Sequence, residues 1–231
     1  MIEVVVFDAY GTLFDVYSVS VLAEHLYPGQ GTAISTLWRD KQIEYTRLIS
    51  LSDPNEITGS RYYQSFWELT KLSLQYTLTR LKLDVDVGKQ NQLMDQYAKL
   101  TPFAETLGVL TQLKLRGIPT AILSNGSPEM LASAVQSAGI TDMLHHVISV
   151  DQVKQFKTSP RSYALVFKYF DVQPAQVLFV SSNAWDALGA TWFGFKTFWV
   201  NRLGVPQETI GPAPSFTGSD LSCVLAILGR T

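Results

Sequence analysis

Apolar and polar positions along this chain follow two different rhythms. Residues 4–7, Val-Val-Val-Phe, are apolar without alternation, and the run stops at a carboxylate, Asp8, with Gly11 and Thr12 close behind. An unbroken apolar run of strand length fits a strand covered on both faces, as inside a parallel sheet flanked by helices. From residue 15 the rhythm changes to a helical one, which predicts helices over 18–27, 32–51, 61–81 and 87–100. Ile34, Leu37, Trp38, Tyr45 and Leu48 share one face of the second, and Tyr63, Phe66, Trp67, Leu74 and Leu78 one face of the third. Breaks are expected at Pro28-Gly29, Asp53-Pro54-Asn55 and Asp84-Val85-Asp86.

From Pro102 onward, short apolar strands alternate with helices. A helix over 104–116 ends at Gly117, where glycine suits a left-handed cap. A strand over 119–123 reaches Ser124-Asn125-Gly126, and Ser127-Pro128 opens the next helix as cap plus first-turn proline. Further strands are expected over 147–150, 177–180 and 196–200, with helices after Pro160 and Asn183 and a closing helix over 221–228. Strands alternating with helices imply right-handed crossovers and a parallel sheet. The fold class is therefore α/β, a Rossmann-like parallel sheet core. That core is formed by residues 1–14 and 100–231, with a four-helix cap domain, residues 15–99, inserted after the first strand.

Bulk properties narrow the field. The 231 residues are 46% hydrophobic, enough for a sizeable core, and 18 Lys and Arg against 20 Asp and Glu give a formal net charge of −2. No basic stripe suggests a nucleic-acid partner, and no apolar run approaches the length of a membrane span. Glu3 and the immediate core strand leave no room for a signal peptide, so a cytoplasmic location is expected. Cys223 is the single cysteine and reads as part of a buried helix face. His25, His145 and His146 lack the spacing of metal ligands, and neither a metal nor a cofactor is expected.

Four strand ends deliver polar residues to one sheet edge, where ligands bind in folds of this kind. They carry Asp8 and Thr12; Ser124 and Asn125; Lys157; and Ser181, Asn183 and Asp186. Taken singly, each has a bland explanation. Asp186 suits a first-turn acid, Lys157 a solvated loop, Arg39 the polar edge of a helix, and Ser127 and Ser159 turn or cap serines. Together, Asp8-Ala9-Tyr10-Gly11-Thr12, Ser124-Asn125-Gly126, Lys157 with Ser159-Pro160, and Ser181-Ser182-Asn183-Ala184-Trp185-Asp186 resemble the four motifs of the haloacid dehalogenase superfamily. Phosphatases of that superfamily carry a second aspartate two residues after the nucleophile, where this chain has Tyr10. The Asp-Ala-Tyr-Gly-Thr form and the segment Leu37-Trp38-Arg39-Asp40-Lys41-Gln42 resemble the L-2-haloacid dehalogenases in particular.

The resemblance implies a hydrolytic dehalogenase for short (S)-2-haloacids, giving (R)-2-hydroxyacids and halide. A carboxylate can displace a halide by forming an ester, a role that falls to Asp8. Its substrate is itself an anion, and two like charges about 4 Å apart repel by roughly 4 kcal/mol at an effective dielectric near 20. The site must therefore supply cations and donors: Arg39 and Lys157, then Thr12, Ser124 and Asn125. Family likeness implies that Arg39 draws off the halide beside Asn183, that Ser124 and Asn125 hold the substrate carboxylate, and that Tyr163 buttresses Lys157. Water then attacks the ester, with either Asp186, positioned by Lys157 and Ser181, or Lys157 itself activating it. Ala9, Tyr10, Ile43, Phe66 and Trp185 are expected around the substrate, in part as a pocket that excludes bulk water. Asp40 departs from the glutamine common in that family; it either alters substrate preference or pairs with Arg39. Relatives also suggest a homodimer. Two other readings stand beside this one: a magnesium-dependent phosphatase or phosphonate hydrolase using Asp8 and Asp186, and a non-catalytic binder on the same scaffold.

Overall fold

A computed structural model describes residues 1–53 and 57–229. Among the described residues, six strands form one parallel sheet in the order β3-β2-β1-β4-β5-β6. They are β1 (Val4–Phe7), β2 (Thr120–Ser124), β3 (His146–Ser149), β4 (Val177–Ser181), β5 (Lys196–Val200) and β6 (Phe216–Gly218). β1, β2 and β4 are buried along their whole length, because helices cover both faces and β-branched and aromatic residues fill the space beneath them. Chain order runs outward from β1 through β2 to β3 on one side, and from β4 through β5 to β6 on the other. The reversal falls between β1 and β4, which pair in register from Val4↔Val177 to Phe7↔Val180. Asp8 leaves β1 at that crevice, the switch point where open α/β sheets bind ligands.

After β1 come the four helices of the inserted block among the described residues: α1 (Ser20–Leu26), α2 (Gly31–Ser52), α3 (Phe66–Arg80) and α4 (Val87–Tyr97). Then follow α5 (Thr106–Leu115), α6 (Pro128–Ser137), α7 (Pro160–Ala164), α8 (Ala184–Phe193) and α9 (Cys223–Leu228). Trp38 of α2 buries its ring between helices and donates its indole N–H to the Thr70 carbonyl at 2.8 Å. This helical block is tied to the sheet domain by the Tyr63 hydroxyl donating to Asp151, and by the Phe156 amide donating to Ser50 Oγ at 2.9 Å. No helix among the described residues is long and apolar enough to cross a membrane.

Several details differ from the sequence reading. α3 begins at Phe66 rather than near Arg61, because Ser65 and Glu68 form a capping box: the Glu68 amide donates to Ser65 Oγ, and the Ser65 amide to the Glu68 carboxylate. The predicted helix after Lys157 is short, α7 giving way to a 3₁₀ turn over Leu165–Lys168. β6 was not foreseen; its three residues at the sheet edge carry no buried apolar pattern. Cys223 opens α9 half-buried rather than buried. Ser127 caps α6 as expected, whereas Ser159 makes no capping bond and donates to Gln155 Oε1 instead. Pro54 and Asn55, at one predicted break, lie outside the described residues.

Candidate active site

The turn after β1 sets the position of the first acid. The carbonyl of Ala9 accepts the amides of Thr12, Leu13 and Phe14, folding the chain back, and Gly11 sits at φ +92°, a conformation that suits glycine. That fold returns Thr12 Oγ1 to Asp8 Oδ2 at 2.9 Å, while the Ser182 amide holds the same hydroxyl at 2.8 Å. Asn183 Nδ2 donates to Asp8 Oδ2 at 2.8 Å and to the Tyr10 carbonyl at 3.0 Å.

Lys157 Nζ lies 2.9 Å from Asp8 Oδ1 and 2.9 Å from Asp186 Oδ2, with its side chain 1% exposed. Burial opposes its charge, yet Asp186 and Asp8 outweigh that penalty and raise its pKa, so it stays an ammonium. Asp186 is fully buried. Desolvation, aided by the charge of Asp8, lifts its carboxyl to about 6 against the pull of Lys157. Asp186 Oδ1 accepts from the Tyr163 hydroxyl at 2.8 Å, and Oδ2 from Ser181 Oγ at 3.1 Å. Tyr163 thus buttresses Asp186 rather than Lys157, a correction to the expectation above. Asp186 is also no helix-capping acid, since its side chain is committed to these three partners.

Arg39 descends from α2, 9% exposed, and donates Nη2 to the Tyr10 carbonyl at 3.1 Å and to Asn183 Oδ1 at 3.2 Å. Its Nη1 donates to Gln42 Oε1 at 2.8 Å. Gln42 was not singled out from the sequence. It is fully buried, donates to Thr70 Oγ1 at 2.6 Å and accepts from the Tyr97 hydroxyl at 3.1 Å. The available signal was a polar residue three positions after Arg39, on a helix face otherwise facing the core. Asp40 is exposed and forms no ion pair with Arg39, whose donors are taken by other acceptors.

Ser124 and Asn125 are both buried at the end of β2. Ser124 Oγ accepts the Gly126 amide at 3.1 Å, and Asn125 Oδ1 accepts the Lys157 amide at 2.9 Å. Asn125 therefore anchors the loop that delivers the lysine. Tyr10 stacks on Tyr97 with centroids 5.7 Å apart and packs against Phe66, both rings being buried. Ile43, Trp185, Arg39 and Asn183 line a cavity of about 390 Å³, with Asp40, Glu44 and Arg47 also on its wall. A second cavity of about 430 Å³ is bounded by Lys157, Thr158 and Arg47.

The four charges nearest the crevice, Asp8, Asp186, Lys157 and Arg39, cancel. Such a centre can present an ionised nucleophile, neutralise one incoming anion, and keep a second carboxylate ready to take a proton. The Lys157 ammonium bridges the two acids. Among the described residues no group of three or more His, Cys, Asp or Glu side chains is arranged to hold a metal ion.

Residues 2–194 match the family described as haloacid dehalogenase-like hydrolase. The chain is 42% identical over 226 residues to the (S)-2-haloacid dehalogenase of Pseudomonas sp. (strain YL), covering 98% of this chain and 94% of that one. It is similar in structure to the L-2-haloacid dehalogenase RSc1362, with a TM-score of 0.95, 51% identity and 99% of each chain covered. The L-2-haloacid dehalogenase of Xanthobacter autotrophicus, solved with chloropropionic acid covalently bound, matches with a TM-score of 0.90, 39% identity and 99% of each chain covered.

Proposed function

The chain belongs to the haloacid dehalogenase-like hydrolases, and from that premise we propose that it hydrolyses short (S)-2-haloacids to (R)-2-hydroxyacids and halide. The observation that carries this reading is the Asp8 carboxylate clasped by Lys157, Thr12 and Asn183, with Arg39 brought against Asn183 and the Tyr10 carbonyl from the helical block. That relatives of known structure and name include a dehalogenase with chloropropionic acid covalently bound supports it.

In the first half-reaction an Asp8 oxygen attacks C2 of the haloacid while the carbon–halogen bond breaks and the halide departs. Attack opposite the leaving group inverts C2. Lys157 and Arg39 offset the roughly 4 kcal/mol of repulsion that two anions about 4 Å apart would feel at an effective dielectric near 20. Arg39 and Asn183 take the halide, and Ser124 and Asn125 face the substrate carboxylate. In the second half-reaction water attacks the carboxyl carbon of the Asp8 ester and Asp186 accepts its proton. The acyl–oxygen bond then breaks, the departing alkoxide takes up the water's remaining proton to become the hydroxyacid, and Asp8 returns as a carboxylate with one oxygen from water. Ester formation removes the charge of Asp8, which was holding the Asp186 pKa up. Asp186 therefore ionises more readily just when a base is required. Tyr163 and Ser181 hold that base in place. Ala9, Tyr10, Ile43, Phe66 and Trp185 give the apolar surround that keeps bulk water from the ester.

Residues 15–99 serve as a cap domain over the core of 1–14 and 100–231, since Arg39 enters the site from α2. The exposed side chains of Leu48, Leu51 and Leu72 on α2 and α3 suit a homodimer, to be checked by mass in solution. The decisive assay for the reaction is chloride release from each enantiomer of 2-chloropropionate in EDTA. The expected result is release from the (S) form alone; release from the (R) form alone, or from neither, overturns the proposal.

A further inference from the structure

Lys157 enters the site on a loop that the helical block and the sheet domain hold together. Consecutive backbone amides are taken by side chains from the two parts of the molecule. The Phe156 amide donates to Ser50 Oγ of α2 at 2.9 Å, and the Lys157 amide donates to Asn125 Oδ1 at the end of β2 at 2.9 Å. The helical block grips the same loop further back, where the Ser60 amide donates to the Lys154 carbonyl at 3.1 Å and the Tyr63 hydroxyl to Asp151. Lys154 is held at φ +49°, a left-handed conformation that is strained for a residue with a long side chain. Tyr63 also stacks on the buried Phe156 ring, with centroids 5.1 Å apart.

α2 connects this grip to the far side of the site. Arg39 and Ser50 lie about three helical turns, or about 16 Å, apart on one face of that helix. Between them Arg47 rests over the Trp185 ring, 5.6 Å from its centroid. One helix face therefore reaches Asn183 and the Tyr10 carbonyl through Arg39, and the lysine loop through Ser50. We propose that Ser50 is a positioning residue: by holding the Phe156 amide it keeps Lys157 in register between Asp8 and Asp186, so that one helix aligns Arg39 and Lys157 with each other. Its consequence for turnover rests on the dehalogenase reading. Without the Ser50 hydroxyl the buried Phe156 amide loses its acceptor, and the peptide before Lys157 turns to find another. The ammonium then retreats from the carboxylates of Asp8 and Asp186, each now 2.9 Å away. Burial and the charge of Asp8 push the Asp186 carboxyl up, while Lys157 and the Tyr163 hydroxyl pull it down, so a retreating lysine lets it rise.

The test is a ¹³C NMR titration of the Asp186 carboxyl in the resting full chain, run beside single-turnover ester hydrolysis. Wild type is compared with Ser50→Ala, with Ser50→Thr, which keeps the hydroxyl, and with Tyr63→Phe, which breaks a tie to the helical block farther from the lysine. A retreat of about 1 Å at an effective dielectric near 20 raises the Asp186 titration by about one unit and slows ester hydrolysis about ten- to a hundredfold. Ser50→Ala should show both changes, Ser50→Thr neither, and Tyr63→Phe only a lower thermal midpoint. If Ser50→Ala lowers the midpoint and leaves titration and hydrolysis as in wild type, or if Ser50→Thr fails to restore them, the proposal is overturned. The NMR titration needs no substrate. A titration that moves in a protein releasing chloride from neither 2-chloropropionate enantiomer would keep the role of Ser50 and sink the dehalogenase reading, so the two failures are distinct.

Discussion

Replacing Tyr163 by phenylalanine removes one hydroxyl and leaves its ring in the aromatic cluster with Phe179, Phe193 and Phe195. That hydroxyl donates to Asp186 Oδ1 at 2.8 Å, and the bond favours the ionised acid, holding its pKa below where burial alone would put it. A hydrogen bond to a charged group contributes about 1.5–3 kcal/mol. At 1.36 kcal/mol per unit, its loss raises the Asp186 pKa by about 1–2 units. In the free protein that acid titrates at about 6. In the ester it titrates lower, because Asp8 no longer carries charge. If Asp186 is the base, ester hydrolysis fails as pH falls through that lower value in wild type, and Tyr163→Phe moves the failure upward by about 1–2 units. Single-turnover quenched flow across pH 4–9, with the ester followed by intact mass, reads this directly. A rate lowered equally at every pH, with its acid limb unmoved, would refute the assignment of Asp186 as base and point to Lys157.

Other outcomes follow from the same geometry. Asp8→Asn should abolish halide release while leaving the Lys157–Asp186 pair to hold the fold, so activity falls to background and the thermal midpoint changes little. Gly189→Ala puts a Cβ 2.6 Å from the Tyr163 hydroxyl oxygen and 2.7 Å from Thr158 Cγ2, an overlap costing about 1–3 kcal/mol of stability by denaturant unfolding. Gln42→Leu strands the buried Tyr97 hydroxyl and takes an acceptor from Arg39, and should cost about 1–3 kcal/mol of stability together with a fall in kcat. Turnover should persist in excess EDTA, because the charge of Asp8 is met by the Lys157 ammonium at 2.9 Å and the proposed displacement needs no metal.

What the sequence revealed followed from how local each signal is. The unbroken valines of β1, the alternation after Pro102 and the polar strand ends depend on neighbours in sequence, so the parallel sheet and the gathering of Asp8, Ser124, Lys157 and Asp186 could be read directly. The capping box at Ser65 was equally local and overlooked, which misplaced the start of α3. β6 was beyond such reasoning, since an exposed three-residue edge strand carries no buried pattern. Partner choice inside the site was also hidden. Whether Tyr163 meets Lys157 or Asp186 depends on how α7 packs against α8, and the support of Arg39 by Gln42, Thr70 and Tyr97 joins residues up to 55 apart. Asp40 shows the same limit: its neighbour Arg39 turns inward to Gln42 and Asn183, so adjacency in sequence produced no ion pair.

The covalent role of Asp8 is tested most directly by one turnover of (S)-2-chloropropionate in ¹⁸O-water with enzyme in excess, followed by mass analysis of the peptide containing Asp8. The heavy oxygen should appear in that aspartate and be missing from the lactate. Label in the lactate with none in Asp8 would mean that water attacks the substrate carbon directly, and the ester mechanism would be wrong.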